Sequence, residues 1–321
     1  MKKYTLMPIL SLALGVLFVS CSGTGTGDTG TGHAGSADAV TFTMVLVPGG
    51  HSFPTGISNS GSATVSDAYW IGETEVTYEL WHTVYTWATG NGYTFANAGT
   101  MGDGTGDTDQ HPVTTVNWRD AMLWCNALTE WYNAEHGTGY SQVYYSDSGY
   151  NTPIRNVDDT ESVSYPDPGG QDDPYVDSGA KGFRLLTCDE WELAARWRDD
   201  STNTVTGYSD PWFTKGRSAS GATAAFYNAG ATGAVAWYGD NSGSSTHEVK
   251  GKTSNALGLY DMSGNVYEWC FDWYPDHEGS SRARRGGSWD HDADELQIGS
   301  ISASYPYGKG DRIGFRFGRT H

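Results

Sequence analysis

Basic residues are scarce in this chain: 19 Lys and Arg stand against 38 Asp and Glu, a net charge of −19 over 321 residues. That balance excludes nucleic acid as a partner, because phosphate neutralisation needs clustered cations. It also excludes adsorption to anionic lipid through basic side chains. The acidity keeps an exposed protein soluble. Cysteine is rarer still, with four residues: Cys21, Cys125, Cys188 and Cys270. No two form a C-x-x-C pair. The three beyond the N-terminal region are odd in number, so they cannot make a full disulfide framework; they read as mostly buried thiols with room for one bridge. G-x-S-x-G and H-E-x-x-H are missing. Gly251-Lys252-Thr253 has Thr246 where a P-loop needs glycine. Gly25 to Gly30 spells a formal G-x-G-x-x-G, but no strand precedes it and no helix follows. Asp290, Asp292 and Asp294 start like an EF-hand, yet the sixth position lacks Gly and the twelfth lacks Glu. His51, His82 and His111 are scattered and read as surface or loop residues. What the chain has in quantity is glycine (43), tyrosine (20) and tryptophan (13), which points to a loop-rich fold around an aromatic core.

The one long apolar run is Leu6 to Val19, behind basic Lys2 and Lys3. It is shorter than the ~20 residues that span a bilayer comfortably and reads as the core of a signal peptide over residues 1–20. Small Ser20 before Cys21 resembles a bacterial lipoprotein processing site, with Phe18 departing from the usual leucine. The resemblance implies lipidation at Cys21, and several acyl chains anchor stably where one is marginal. Residues 21–39 are a Gly/Thr-rich tether that buries too little apolar surface to order itself.

The globular part starts near Val40. Met44 to Val47 is a strand run closed by Pro48-Gly49-Gly50, and Ala68 to Ile71 is another. Thr77 caps a helix reaching about Ala88, stopped at Gly90. Asn117 caps a stronger helix, with Asp120 at its third position. Trp118, Met122, Cys125, Leu128 and Tyr132 recur every three or four residues and define one buried face; Gly137 ends it. Thr187 to Glu190 is a capping box that opens a third helix. Residues 137–182, polar and rich in Gly, Asp and Pro, read as an insertion or long loop. Short strands and loops follow Arg198, with no repeat of fixed period.

Four blocks carry a family resemblance. They are Met44 to Gly50 with Glu75-Val76-Thr77; Pro112 to Trp118 with Asp120-Ala121; Phe183 to Arg196; and Asn255 to Trp269, followed by Arg285-Gly-Gly-Ser-Trp289 and Ile313 to Phe317. In this order and spacing, over about residues 40–318, they resemble the formylglycine-generating-enzyme (sulfatase-modifying factor) domain. The resemblance implies a single α+β domain over 40–321, a C-type lectin-like fold with small antiparallel sheets, few helices and many loops. The oxidase members bind copper through two cysteines that follow the Arg-Gly-Gly-Ser block. Those positions fall near His291 and Leu296 here, so the soft thiolate pair that Cu(I) needs is missing. Trp191 and Trp269 read as core packing.

The chain is similar to another branch of the fold, the variable proteins of diversity-generating retroelements. There the stretch between the Arg-Gly-Gly-Ser-Trp block and Ile-Gly-Phe-Arg is diversified by mutating adenines in Asn codons. Residue types reachable that way stand at Asp290, His291, Asp292, Asp294, Ser300, Ser302, Ala303, Ser304, Tyr305, Tyr307, Gly308, Gly310 and Asp311. Glu295, Gln297 and Lys309 do not fit and are expected to be fixed. Residues 290–312 follow neither the helical nor the strand period; Leu296, Ile298 and Ile301 are expected to pin them to the core. A diversified segment must hold its variable side chains in solvent, since buried large-to-small changes cost roughly 2–5 kcal/mol and exposed changes stay within about 0.5 kcal/mol. Its Tyr, Ser, Gly and Asp mixture matches the chemistry of a paratope.

The expectation is therefore a non-enzymatic lipoprotein, anchored in the bacterial outer membrane and displayed on the cell surface. Its variable region, about residues 282–312, would bind a protein or other surface ligand, with a basic patch as the natural complement. The alternative is a divergent formylglycine-generating-type oxidase, or a relic of one, without its copper cysteines. Resemblance to the oxidases also offers a structural calcium site at Asp261, Gly264, Val266 and Glu268, oxygen donors that suit a hard cation. Backbone-bonded carboxylates holding the same loop without metal are equally compatible. A second such site would involve Asn228 and Asp240.

Overall fold

The computed structural model describes residues 19–20, 40–104 and 106–321. The expected signal peptide, the lipidation site Cys21 and the tether otherwise lie outside those residues. A central antiparallel sheet is built from β1 (Thr43–Val47), β4 (Tyr69–Gly72), β10 (Phe317–Thr320) and β5 (Phe183–Leu185), in the order β1-β4-β10-β5, with Val19–Ser20 on its outer edge. The chain's two ends thus meet in one sheet: β10 is bonded to β4 near the start and to β5 mid-chain. Between β1 and β4 runs a hairpin of β2 (His51–Thr55) and β3 (Gly61–Val65).

Strand alternation splits the sheet's side chains between two cores. Met44 and Trp70 face a large aromatic core that also contains α1 (Tyr78–Gly90) and α2 (Trp118–His136). Val45, Val47, Tyr69 and Ile71 face a second core, packed against α3 (Cys188–Arg196). The helix signals act as expected. Thr77 accepts from the Leu80 amide, Asn117 and Thr187 form capping boxes with Asp120 and Glu190, and Gly137 ends α2 in the left-handed conformation at φ 65°.

One expectation about α2 is corrected. It is not buried along one stripe: from Trp118 to Thr129 every residue is buried, polar ones included. Arg119 donates to both Asp172 oxygens at 2.7 and 2.8 Å and to the carbonyls of Asp158, Thr160 and Ser162. Asn126 donates to the carbonyls of Tyr144 and Ile154. The 137–182 insertion therefore covers the polar side of the helix, and buried polar groups can sit there because each finds a partner.

A second sheet carries the C-terminal half. Its order is β8 (Ser302–Ser304), β7 (Arg282–Arg285), β6 (Tyr267–Trp273) and β9 (Ile313–Gly314). The β6–β7 and β7–β8 pairs are antiparallel and β6–β9 is parallel. The chain leaves inner strand β7 at Arg285, forms one edge of the sheet at Ser302–Ser304 and the opposite edge at Ile313. Everything else between is laid across its end.

Candidate functional site

Segment 286–312 begins with two glycines in the left-handed region, Gly286 at φ 94° and Gly287 at φ 76°. A Cβ on Gly287 would come within 2.7 Å of Leu296 Cδ2 and 3.0 Å of the Glu295 carbonyl. The turn therefore closes only around glycine. Trp289 follows, 7% exposed. Its amide donates to the Asn265 carbonyl at 2.8 Å and its indole N–H to the Asp311 carbonyl at 3.1 Å, which joins the two ends of the segment.

Hydrogen bonds from its backbone to three distant regions then fix the path. The Leu296 carbonyl accepts from Ser263 Oγ at 2.9 Å, and Ile298 N–H donates to Ser218 O at 2.9 Å. Trp118 N–H donates to Pro306 O at 3.1 Å and Thr115 N–H to Gly310 O at 3.0 Å. Arg285 donates to the Ser300 carbonyl at 2.8 Å while its other nitrogen is paired with Glu192. Leu296 and Ile298 are fully buried, as expected of pins, and Ile301 is half-buried.

Between these attachments the side chains look outward. Of the thirteen candidate positions, Asp290, Asp292, Asp294, Tyr305 and Asp311 are exposed. His291, Ser300, Ser302, Ala303, Ser304, Tyr307, Gly308 and Gly310 are half-buried, and none is buried. Three groups form. His291 Nδ1 lies 2.6 Å from Ser288 Oγ, and its ring meets Tyr267 edge to face at 5.0 Å. The Tyr267 hydroxyl donates to Glu295 Oε2 at 2.9 Å, and Arg284 lies 4.2 Å from the Tyr267 ring while donating to Ser302 Oγ at 3.3 Å. In the second group Tyr305 and Tyr307 stack at 5.1 Å, nearly parallel, beside the Lys309–Asp159 ion pair. In the third, Arg312 pairs with Asp290 at 2.7 Å above Trp289. Ser300 stands apart from these groups, beside Gly299, which is pressed against the Gly56 backbone.

Burial sets the protonation of this surface. Burial, reinforced by the charge of Glu295, pushes the Tyr267 phenol well above its ordinary range. Burial lowers His291 from its usual 6.5, so its imidazole is neutral at pH 7. Tyr267, Arg284 and Arg312, absent from the residues picked by sequence, belong to this surface. Tyr267 was masked by its place in the presumed calcium loop, and strand alternation beside Glu268 was the signal that could have separated the two.

That loop is held by protein groups. Both Glu268 oxygens accept from Arg316 at 2.7 Å, and Oε2 also accepts from Trp191 Nε1 at 2.7 Å. Val266 N–H donates to Glu75 and Gly264 N–H to the Gly286 carbonyl. Asp261, at φ 57°, accepts from the Lys250 amide through Oδ2, and its Oδ1 has no partner. Arg316 thus lays a buried positive charge against Glu268 within the loop that the resemblance assigns to calcium. Among the described residues no group of three or more His, Cys, Asp or Glu is arranged to hold a metal. Asn228 of the second expected site caps the short helix Ala229–Gly233 with its carboxamide oxygen. His51 and His82 are half-buried and exposed, whereas His111 is buried in its loop, 3.0 Å from Thr246 Oγ1. Trp191 and Trp269 are core residues, each 1% exposed.

Comparison with known proteins agrees with this architecture. The chain is 30% identical over 330 residues to "Chaperone protein LppX" of Paenibacillus barcinonensis, covering 98% of this chain and 95% of that protein. Its fold is similar to that of Treponema denticola variable protein 1, with a TM-score of 0.66, 33% identity, and 89% of this chain and 98% of the other covered. It is also similar to the crystal structure of CarF, with a TM-score of 0.63, 26% identity and coverage of 87% and 98%. These likenesses bear out the expected C-type lectin-like fold. Residues 33–321 match the sulfatase-modifying factor enzyme 1-like domain, and the chain belongs to that family.

Proposed function

We propose that this chain is a lipid-anchored protein of the bacterial cell surface whose C-terminal segment is a diversified ligand-binding face, and that it is not an enzyme. The carrying observation is the division of labour within 286–312. The backbone is tied to the core at Trp289, Leu296, Ile298, Pro306 and Gly310, while all thirteen reachable positions keep contact with solvent. Side-chain identity can then change most cheaply at the exposed positions Asp290, Asp292, Asp294, Tyr305 and Asp311. Likeness to the Treponema denticola variable protein supports the reading. Stacked Tyr305 and Tyr307 offer rigid aromatic contact area at small entropic cost, and the rim of Asp290, Asp292, Asp294 and Asp311 complements a basic patch on a protein or other surface ligand.

The test is genetic. A near-copy of the last ~100 bases, carrying Asn codons at the thirteen positions and lying beside a reverse transcriptase gene, is expected; its absence from the locus removes the diversification reading. The family name includes an enzyme, so thiol oxidation by the copper-treated protein is the second assay. Turnover there would restore the oxidase alternative.

A further inference from the structure

Cys188 and Cys270 are far apart in sequence but adjacent in the fold. Cys188 is the first residue of α3 and Cys270 lies in the middle of β6. Two bonds clamp these elements on either side of the cysteines: Phe271 N–H donates to the Leu186 carbonyl at 2.8 Å, and Cys188 N–H donates to Asp272 at 2.5 Å. The side chains of Cys270 and Cys188 lie close enough to interact, and the Arg285 guanidinium is near Cys188. Both cysteines are reduced here. Cys270 is fully buried and Cys188 half-buried, so only Cys188 can meet a reagent first. Cys125 sits in the other core, across the central sheet.

We infer that Cys188 and Cys270 are a redox dithiol that closes to a disulfide between the start of α3 and the middle of β6. The oxidant is a disulfide of the glutathione or thiol-oxidoreductase class. The Cys188 thiolate attacks one oxidant sulfur, and the other half leaves as a thiol. Cys270 then attacks the Cys188 sulfur: the Cys188–Cys270 bond forms, the mixed disulfide breaks, and the second half of the oxidant leaves with the remaining proton. Two thiols are oxidised and one disulfide is reduced to two thiols. Burial, together with the neighbouring Cys188, raises Cys270 well above the usual thiol range, so Cys188 is the thiol that reacts first.

The experiment treats the reduced full chain with oxidised glutathione, blocks residual thiols with N-ethylmaleimide and maps the peptides by mass spectrometry. The expected product is a Cys188–Cys270 linked peptide, 2 Da lighter than the reduced pair, with Cys125 alkylated. The oxidised form should melt roughly 5 °C or more above the reduced form, because the bridge closes a long loop. Cys188→Ser, at a half-buried site that tolerates the change, should give no linked peptide and no rise. A persistent glutathione adduct on Cys188, an unreacted Cys188, or a bridge to Cys21 or Cys125 would overturn the inference.

Discussion

At the residue scale, Arg316 and Asp261 show how one buried loop is balanced. Arg316 is fully buried and donates to both Glu268 oxygens and to the carbonyls of Gly72, Glu73 and Tyr260. Removing one partner of such a pair strands the other without solvent. Arg316→Met is therefore expected to lower unfolding free energy by about 3–5 kcal/mol, measured by urea titration. A loss below 1 kcal/mol would show that Glu268 finds another cation.

Asp261 is the opposite case. Burial is the main cause that lifts its pKa from 3.8 to about 6. A carboxyl raised on folding binds more protons folded than unfolded between those values. Stability from this group is therefore fully present below about pH 4 and is lost as pH rises to about 6. Asp261→Asn keeps the left-handed backbone, which Asn accepts readily, and removes the charge. It should flatten that slope and stabilise the protein at pH 7 by about 2 kcal/mol. An unchanged slope in the variant would assign the pH dependence to another carboxyl.

At the element scale, the helix ends were legible because caps are local chemistry. Thr77, Asn117 and Thr187 each act within four residues of themselves, and the chain obeyed them. Thr187→Ala should cost about 1 kcal/mol, read as a shift in the urea midpoint at unchanged slope; a neutral result would mean that Glu190, held by Arg184 at 2.7 Å, orders the helix start alone. What the period of α2 could not reveal is its second covering. Arg119, Asp120 and Asn126 look like a solvent face in sequence. They are buried because loop carbonyls and amides from 94–97 and 144–172 come to meet them, and nothing local encodes those partners.

At the scale of the whole molecule, the C-terminal segment divides into buried pins and positions that reach solvent. Alanine at Leu296 or Ile298 should cost about 2–5 kcal/mol, while alanine at Asp292, Ser302 or Tyr305 should stay within about 0.5 kcal/mol. Thermal melts of the five variants check this. Equal losses in both sets would mean that the segment is ordinary core and cannot carry diversity.

By itself the sequence determined the caps, the strands of the first block and the missing copper thiols, because each depends on composition or on spacing within a few residues. Only the tertiary structure decided that Tyr267, Arg284 and Arg312 share a surface with His291 and Ser302, that Arg316 pairs with Glu268, and that Cys188 lies beside Cys270. Those pairings join residues up to about eighty positions apart, and which of them touch is set by how β6, β7 and β9 register within one sheet and how α3 packs on β6.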